Sequence, residues 1–106
     1  MTFDAKMDVD GGVVTLTLAG EADSRAAPKL NELVIHAAEV PPTRLVLIMH
    51  DLTFLSSAGL RCLVFAHQRL GQGAEIVLVG ARPEVAETIR LTGFDRSVIM
   101  QEQVPR

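Results

Sequence analysis

The stretch LVLIM at residues 45–49 is the part of the sequence that most strongly indicates the fold. An unbroken apolar run of this length is typical of a β-strand, and its lack of polar alternation predicts burial on both faces, as parallel sheets require. Residues 75–79, which read EIVLV, repeat the pattern. The two segments therefore predict buried strands of a mostly parallel sheet.

Helices are predicted before, between and after these strands. Residues 25–39 and residues 58–70 place apolar side chains three and four positions apart, which is the spacing of a helix with one buried face. Pro83 suits the first turn of a third helix, residues 83–92, because its missing N–H would have no partner there. A last short strand is predicted at residues 97–100.

The N-terminal part of the chain predicts a β-hairpin. Residues 3–8 and 13–19 are short alternating segments, and the Asp-Gly-Gly sequence at 10–12 between them is a strong turn signal. The resulting order is hairpin, helix, strand, helix, strand, helix, strand. It predicts an α/β domain with a mixed, mostly parallel sheet and helices packed on it, and the length predicts a single domain over residues 1–106.

Composition argues against several classes of function. The chain is 48% hydrophobic and 22% charged, with a net charge of −3, and its basic residues are scattered, so no nucleic-acid interface is expected. No apolar stretch approaches the roughly 18–20 residues of a membrane span, and the N-terminus lacks the pattern of a signal peptide. We therefore expect a cytoplasmic protein without a membrane span.

Enzymatic and metal chemistry also lack a sequence signature. His36, His50 and His67 are far apart and have no metal-ligand spacing, and no glycine-rich phosphate loop follows a strand. Cys62 is the single cysteine and lies in an apolar run, which is typical of a small buried side chain. The sequence predicts no catalytic residue, no metal and no cofactor, so the protein should bind no metal and hydrolyse no nucleotide.

The candidate functional segment is DLTFLSSAGLR at residues 51–61, where a strand leads into a helix. Ser56 and Ser57 stand at the helix start, where serine side chains commonly cap free backbone N–H groups. The residues alone leave two interpretations open, a capping role and a functional serine. The run of small residues at 56–59 also allows another backbone to approach closely.

Two acidic residues are expected at the same end of the sheet. Glu21 and Asp23 lie between the predicted hairpin and the first helix, and the loop of residues 54–57 should emerge beside them. They are interpreted either as solvated charges that complement the helix N-terminus or as an acidic rim beside the serine.

Three sequence blocks resemble motifs of the STAS domain family. GEAD at 20–23 resembles the family's Gly-Glu-Leu-Asp, and FLSSAGL at 54–60 resembles Phe-x-Asp-Ser-Ser/Ala-Gly-Leu. LTGFDR at 91–96 is similar to Leu-Thr-Gly-Leu-Asp-Arg. The three blocks occur in the family's order and at similar separations, so the resemblance extends over most of the chain.

The resemblance implies an anti-sigma factor antagonist, a non-enzymatic regulator. Such a protein binds an anti-sigma factor with serine-kinase activity, frees a sigma factor, and is inactivated by phosphorylation of the motif serine, which a serine phosphatase reverses. By position that serine is Ser57, with Ser56 as the rival acceptor. The positions that the motifs assign to partner binding are Glu21, Asp23, Phe54, Leu55, Ser56, Ser57, Ala58, Gly59 and Arg61.

Departures from the family pattern keep a second hypothesis open. Ser56 stands where the family usually has Asp, Ile48 stands where Asp is common, and the chain ends soon after the last predicted strand, where family members usually add a helix. The alternative is a non-switching STAS subunit of a stressosome-like or membrane-transport complex. An enzymatic function is a third and less favoured hypothesis.

Overall fold

The computed structural model describes residues 2–39 and 42–102 and has a five-stranded sheet with three α-helices. In chain order the elements are β1 (Asp4–Asp10), β2 (Val13–Ala22), α1 (Ala27–Ala37), β3 (Arg44–Leu55), α2 (Ser57–Leu70), β4 (Glu75–Val79), α3 (Pro83–Leu91) and β5 (Ile99–Gln101). Short 3-10 turns at Gly71–Gly73 and Phe94–Arg96 precede β4 and β5.

The strands are arranged in the order β1-β2-β3-β4-β5. β1 pairs antiparallel with β2, whereas the pairs β2–β3, β3–β4 and β4–β5 are parallel. The turn between β1 and β2 contains Gly11 at φ +61, a left-handed conformation that favours glycine. This architecture confirms the predicted α/β class, the N-terminal hairpin and the mixed, mostly parallel sheet.

The three helices cover one face of the sheet. Each crossover moves one strand further in the same direction, so right-handed connections place every helix on the same side. The core lies between the two layers. Its fully buried side chains include Leu16, Leu18, Leu45, Leu47, Met49, Leu52 and Leu78 from the sheet and Leu30, Val34, Leu63 and Ile89 from the helices.

The prediction that residues 45–49 are buried on both faces was wrong for one face. Leu45, Leu47 and Met49 are buried under the helices, but Val46 and Ile48 are only partly buried. No described helix covers the sheet face that carries Val46 and Ile48, yet their partners in β4 on that face, Val77 and Val79, are buried, as predicted for residues 75–79.

Several element boundaries also differ from the predictions. β3 continues to Leu55 instead of ending near residue 49, because it stays paired with β2 through the contacts Gly20↔Leu52 and Ala22↔Leu55. Glu21 therefore lies inside β2, and residues 54 and 55 are strand rather than loop. α1 spans Ala27–Ala37, two residues shorter at each end than the predicted helix, because a turn that begins at Asp23 precedes it.

Within the described residues, no helix is both long enough and apolar enough to cross a membrane.

Candidate functional site

Ser56 joins the start of α2 to the end of β2. Its hydroxyl accepts a hydrogen bond from the Gly59 N–H at 3.1 Å and donates one to the Ala22 carbonyl at 2.8 Å. The Ser56 N–H donates to the same carbonyl at 2.9 Å. Ser56 is thus the N-cap of α2, and its hydroxyl also bonds to the neighbouring strand β2.

Ser57 is the first residue of α2 and is exposed. Its hydroxyl makes no hydrogen bond to any residue in the part of the chain that the structure describes. Of the two interpretations that the sequence left open, the capping role belongs to Ser56. Ser57 presents the accessible hydroxyl of the pair.

Gly59 lets α2 approach β2 closely. A Cβ atom at this position would lie 3.0 Å from the Ala22 carbonyl oxygen and 2.9 Å from Leu55 Cδ1. Gly59 is buried, as is Leu55 with 4% of its surface exposed. Both residues were predicted to contact a partner, but in this structure they shape the junction and present little surface.

The two acidic residues have different environments. Glu21 is an exposed residue of β2 that pairs with Phe54 of β3, and this pairing brings it to the strand end that leads into α2. Asp23 Oδ1 accepts hydrogen bonds from the N–H groups of Arg25 and Ala26, both at 3.0 Å. The Ala26 N–H, assisted by the Arg25 guanidinium, lowers the pKa of Asp23 below its usual value.

Asp23 therefore stabilises the turn that leads into α1. This structural role is closer to the interpretation as a charge at the helix N-terminus than to that of an acidic rim beside the serine. Its Oδ2 also lies 3.4 Å from the Arg25 guanidinium, in an ion pair whose arginine is 92% exposed. The carboxylate is only partly available to a partner, because its hydrogen-bonding capacity is largely used within the turn.

Several residues near Ser57 in the chain are exposed. Phe54 is 48% exposed although it lies in a strand, which is unusual for a phenylalanine. Arg61, one helical turn after Ser57, is exposed, and Ala58 is partly buried. Glu21, Phe54, Ser57, Ala58 and Arg61 all lie where β2 and β3 end and α2 begins.

A groove between α1 and α2 extends this surface. Its lining residues are Ser24, Ala27, Pro28 and Asn31 on the α1 side and Ala58, Arg61, Cys62 and Phe65 on the α2 side. We call these eight residues the α1–α2 groove. Sequence reasoning missed its α1 side, although Ala27 and Asn31 are four positions apart and flank the buried stripe of Leu30 and Val34.

Cys62 lies at the bottom of this groove. Its Sγ is 3.4 Å from the Ala27 carbonyl oxygen and 3.4 Å from that of Ala58, and burial raises the pKa of the thiol above its usual value. A buried thiol with a raised pKa is a poor nucleophile, so the geometry fits the predicted packing role.

The histidines occupy separate places. His36 Nδ1 lies 3.6 Å from Glu39 Oε2, and His50 Nδ1 lies 3.4 Å from Asp51 Oδ1. The His67 ring contacts the Phe94 ring at a centroid distance of 6.1 Å. Among the residues that the structure describes, no group of three or more His, Cys, Asp or Glu side chains is arranged to hold a metal ion.

Comparison with known proteins assigns the chain to a family. The family model described as the STAS domain matches residues 4–105. Anti-sigma-F factor antagonist RsfB of Mycobacterium tuberculosis is 30% identical over 86 residues, which cover 81% of this chain and 70% of RsfB.

Solved structures show the same fold. The crystal structure of an anti-sigma factor antagonist from Mycobacterium paratuberculosis aligns with a TM-score of 0.88 and 26% identity, covering 97% of this chain and 88% of that protein. SpoIIAA in its unphosphorylated form aligns with a TM-score of 0.76 and 18% identity, and the alignment covers 97% of this chain and 90% of that one. The Bacillus protein SpoIIAA in its phosphorylated form aligns with a TM-score of 0.71 and 19% identity, and the alignment covers 93% of this chain and 90% of that one.

Proposed function

Because the chain belongs to the STAS domain family, we propose that it is an anti-sigma factor antagonist that works as a phosphorylation-controlled partner switch. The unphosphorylated protein binds an anti-sigma factor with serine-kinase activity, which releases a sigma factor for transcription. Phosphorylation of Ser57 ends this binding, and a serine phosphatase restores it. The relatives named as anti-sigma factor antagonists support the general function.

The observation that carries the proposal is the difference between the two adjacent serine hydroxyls. The Ser56 hydroxyl both donates and accepts a hydrogen bond inside the fold, at 2.8 Å and 3.1 Å. A kinase would have to break both bonds to use it. The Ser57 hydroxyl is exposed at the start of α2, so it is accessible without any local unfolding.

A phosphate on Ser57 is compatible with the fold. It would stand at a helix N-terminus, where the free N–H groups and the helix dipole favour negative charge, and the first turn of α2 contains no acidic residue to repel it. The proposed change therefore acts on the partner and leaves the core intact.

The same phosphate is incompatible with a partner packed over this surface. It adds a charge of about −1.5 to −2 at a position where the interface had accommodated a neutral hydroxyl. Burying that charge without a matching cation costs free energy, and acidic groups of the partner would be repelled. Glu21 adds a further acidic group to the same end of the sheet.

The test begins with identification of the partner by affinity capture from the native cell. The proposal expects a small ATPase-fold kinase that phosphorylates the purified protein in the presence of ATP. Fragmentation mass spectrometry of the wild type, Ser56→Ala and Ser57→Ala proteins then locates the phosphate. We expect it on Ser57 in the wild type and in Ser56→Ala, and we expect none in Ser57→Ala.

Binding measurements complete the test. Ser57→Ala should stay bound to the partner after ATP is added, and Ser57→Asp should bind at least tenfold more weakly, which corresponds to about 1.4 kcal/mol. Phosphate that persists in Ser57→Ala and disappears in Ser56→Ala would refute the assignment of the acceptor. Capture of membrane-transport components, with no phosphate on any variant, would favour the non-switching subunit instead.

A further inference from the structure

Arg61 is an exposed cation on α2 that has no partner among the described residues 2–39 and 42–102. In the part of the chain that the structure describes, its guanidinium makes no ion pair and no hydrogen bond, whereas Arg25 pairs with Asp23 and Arg44 pairs with Glu75. Its helical neighbours at three and four positions on either side are Ser57, Ala58, Val64 and Phe65, none of which is acidic. No carboxylate on α2 is therefore within the usual reach of this arginine.

Ser57 and Arg61 are placed to interact as soon as Ser57 carries a negative charge. Both residues are exposed, and they are separated by four positions within the continuous helix Ser57–Leu70. Side chains at this spacing are neighbours, with Cβ atoms about 5–6 Å apart, and an acidic group that precedes a basic one by four positions has the more favourable orientation.

We propose that Arg61 binds the phosphate on Ser57 and holds it against the outer face of α2. This inference rests on the proposed phosphorylation of Ser57. The planar guanidinium donates two parallel hydrogen bonds to phosphate oxygens, a geometry that a lysine ammonium group does not provide.

The pairing changes the surface that a partner meets. Without the phosphate, Arg61 lines the α1–α2 groove as a cation that no described side chain neutralises. With the phosphate, the same guanidinium is engaged within the chain. Phosphorylation thus adds negative charge and also removes from the groove the positive charge available to a partner's carboxylates.

The test uses protein in which phosphoserine is incorporated at position 57 during synthesis, so it requires no kinase and no partner. The second ionisation of phosphoserine, with a pKa near 6, is followed by ³¹P NMR in the otherwise wild-type protein, Arg61→Gln, Arg61→Lys and Arg69→Gln. Arg69 is the matched control, because it lies on the same helix but about 12 Å further along the axis than Arg61.

We expect Arg61→Gln to raise the phosphoserine pKa by about 0.3 unit, the size produced by an ion pair at this spacing, and 1 M salt to reduce the difference. Arg61→Lys should give an intermediate value, and Arg69→Gln should match the wild type. The proposal is overturned if the wild type and both Arg61 variants titrate together. Since neither outcome depends on a kinase, this result is separable from a failure of the proposed function.

Discussion

The adjacent residues Ser56 and Ser57 have the same side chain and opposite roles in the structure. The Ser56 hydroxyl contacts the Gly59 N–H and the Ala22 carbonyl, and this second contact joins residues 34 positions apart in sequence. The Ser57 hydroxyl is exposed to solvent. Stability should therefore depend on the first serine and not on the second.

We predict that Ser56→Ala lowers the free energy of unfolding by about 1–2 kcal/mol, because it removes a helix cap and a tie to β2. Ser57→Ala is the matched control and should change it by less than about 0.5 kcal/mol. Urea unfolding followed by far-UV circular dichroism is suitable, since the chain has no Trp or Tyr. Equal losses in the two variants would show that the Ser56 hydrogen bonds do not stabilise the fold.

Among the secondary-structure elements, the junction of β2, β3 and α2 positions the candidate site. The close approach of α2 to β2 depends on Gly59, whose missing side chain leaves room for the Ala22 carbonyl. A glycine inside a helix normally costs about 1 kcal/mol relative to alanine. The glycine is therefore explained by packing between elements and not by the needs of the helix.

We predict that Gly59→Ala destabilises the protein by about 1–3 kcal/mol, because the added methyl group pushes α2 away from Ala22 and Leu55. The steric cost should exceed the gain in helix propensity. Gly73→Ala is the control, because no atom lies within 4 Å of a Cβ at that position and its φ is not positive. Denaturation midpoints of both variants provide the measurement, and a stabilised Gly59→Ala protein would contradict the packing argument.

For the molecule as a whole, one hydrophobic core connects the sheet with all three helices. Side chains from β2, β3, β4, α1, α2 and α3 belong to a single buried cluster. A chain of 106 residues organised around one cluster is expected to unfold as one cooperative unit.

We predict a single thermal transition in which the calorimetric and van't Hoff enthalpies agree, at about 70 kcal/mol for a domain of this length near 60 °C. The enthalpies are obtained from differential scanning calorimetry, and circular dichroism at the same heating rate should give the same midpoint. Two resolved transitions, or a calorimetric enthalpy well above the van't Hoff value, would contradict the prediction of a single domain.

The amino-acid sequence by itself determined the order and type of the elements. The Asp-Gly-Gly turn, the apolar runs at 45–49 and 75–79 and the helical spacing after each strand are short-range signals, readable without knowledge of the partner segments. The motifs around residues 20–23, 54–60 and 91–96 located the candidate site for the same reason, because each lies within a few consecutive residues.

The tertiary structure alone decided how those parts fit together. β3 extends to Leu55 because β2 remains paired with it through two register shifts, and the residues after Met49 lack the apolar run that signalled the earlier part of the strand. Val46 and Ile48 are only partly buried although Val77 and Val79, which pair with them on the same face, are buried, and this difference depends on the neighbours that each strand acquires in the folded sheet. The division of roles between Ser56 and Ser57 depends on the Ala22 carbonyl, and hydrogen bonds between segments so distant in sequence exist only once the chain has folded.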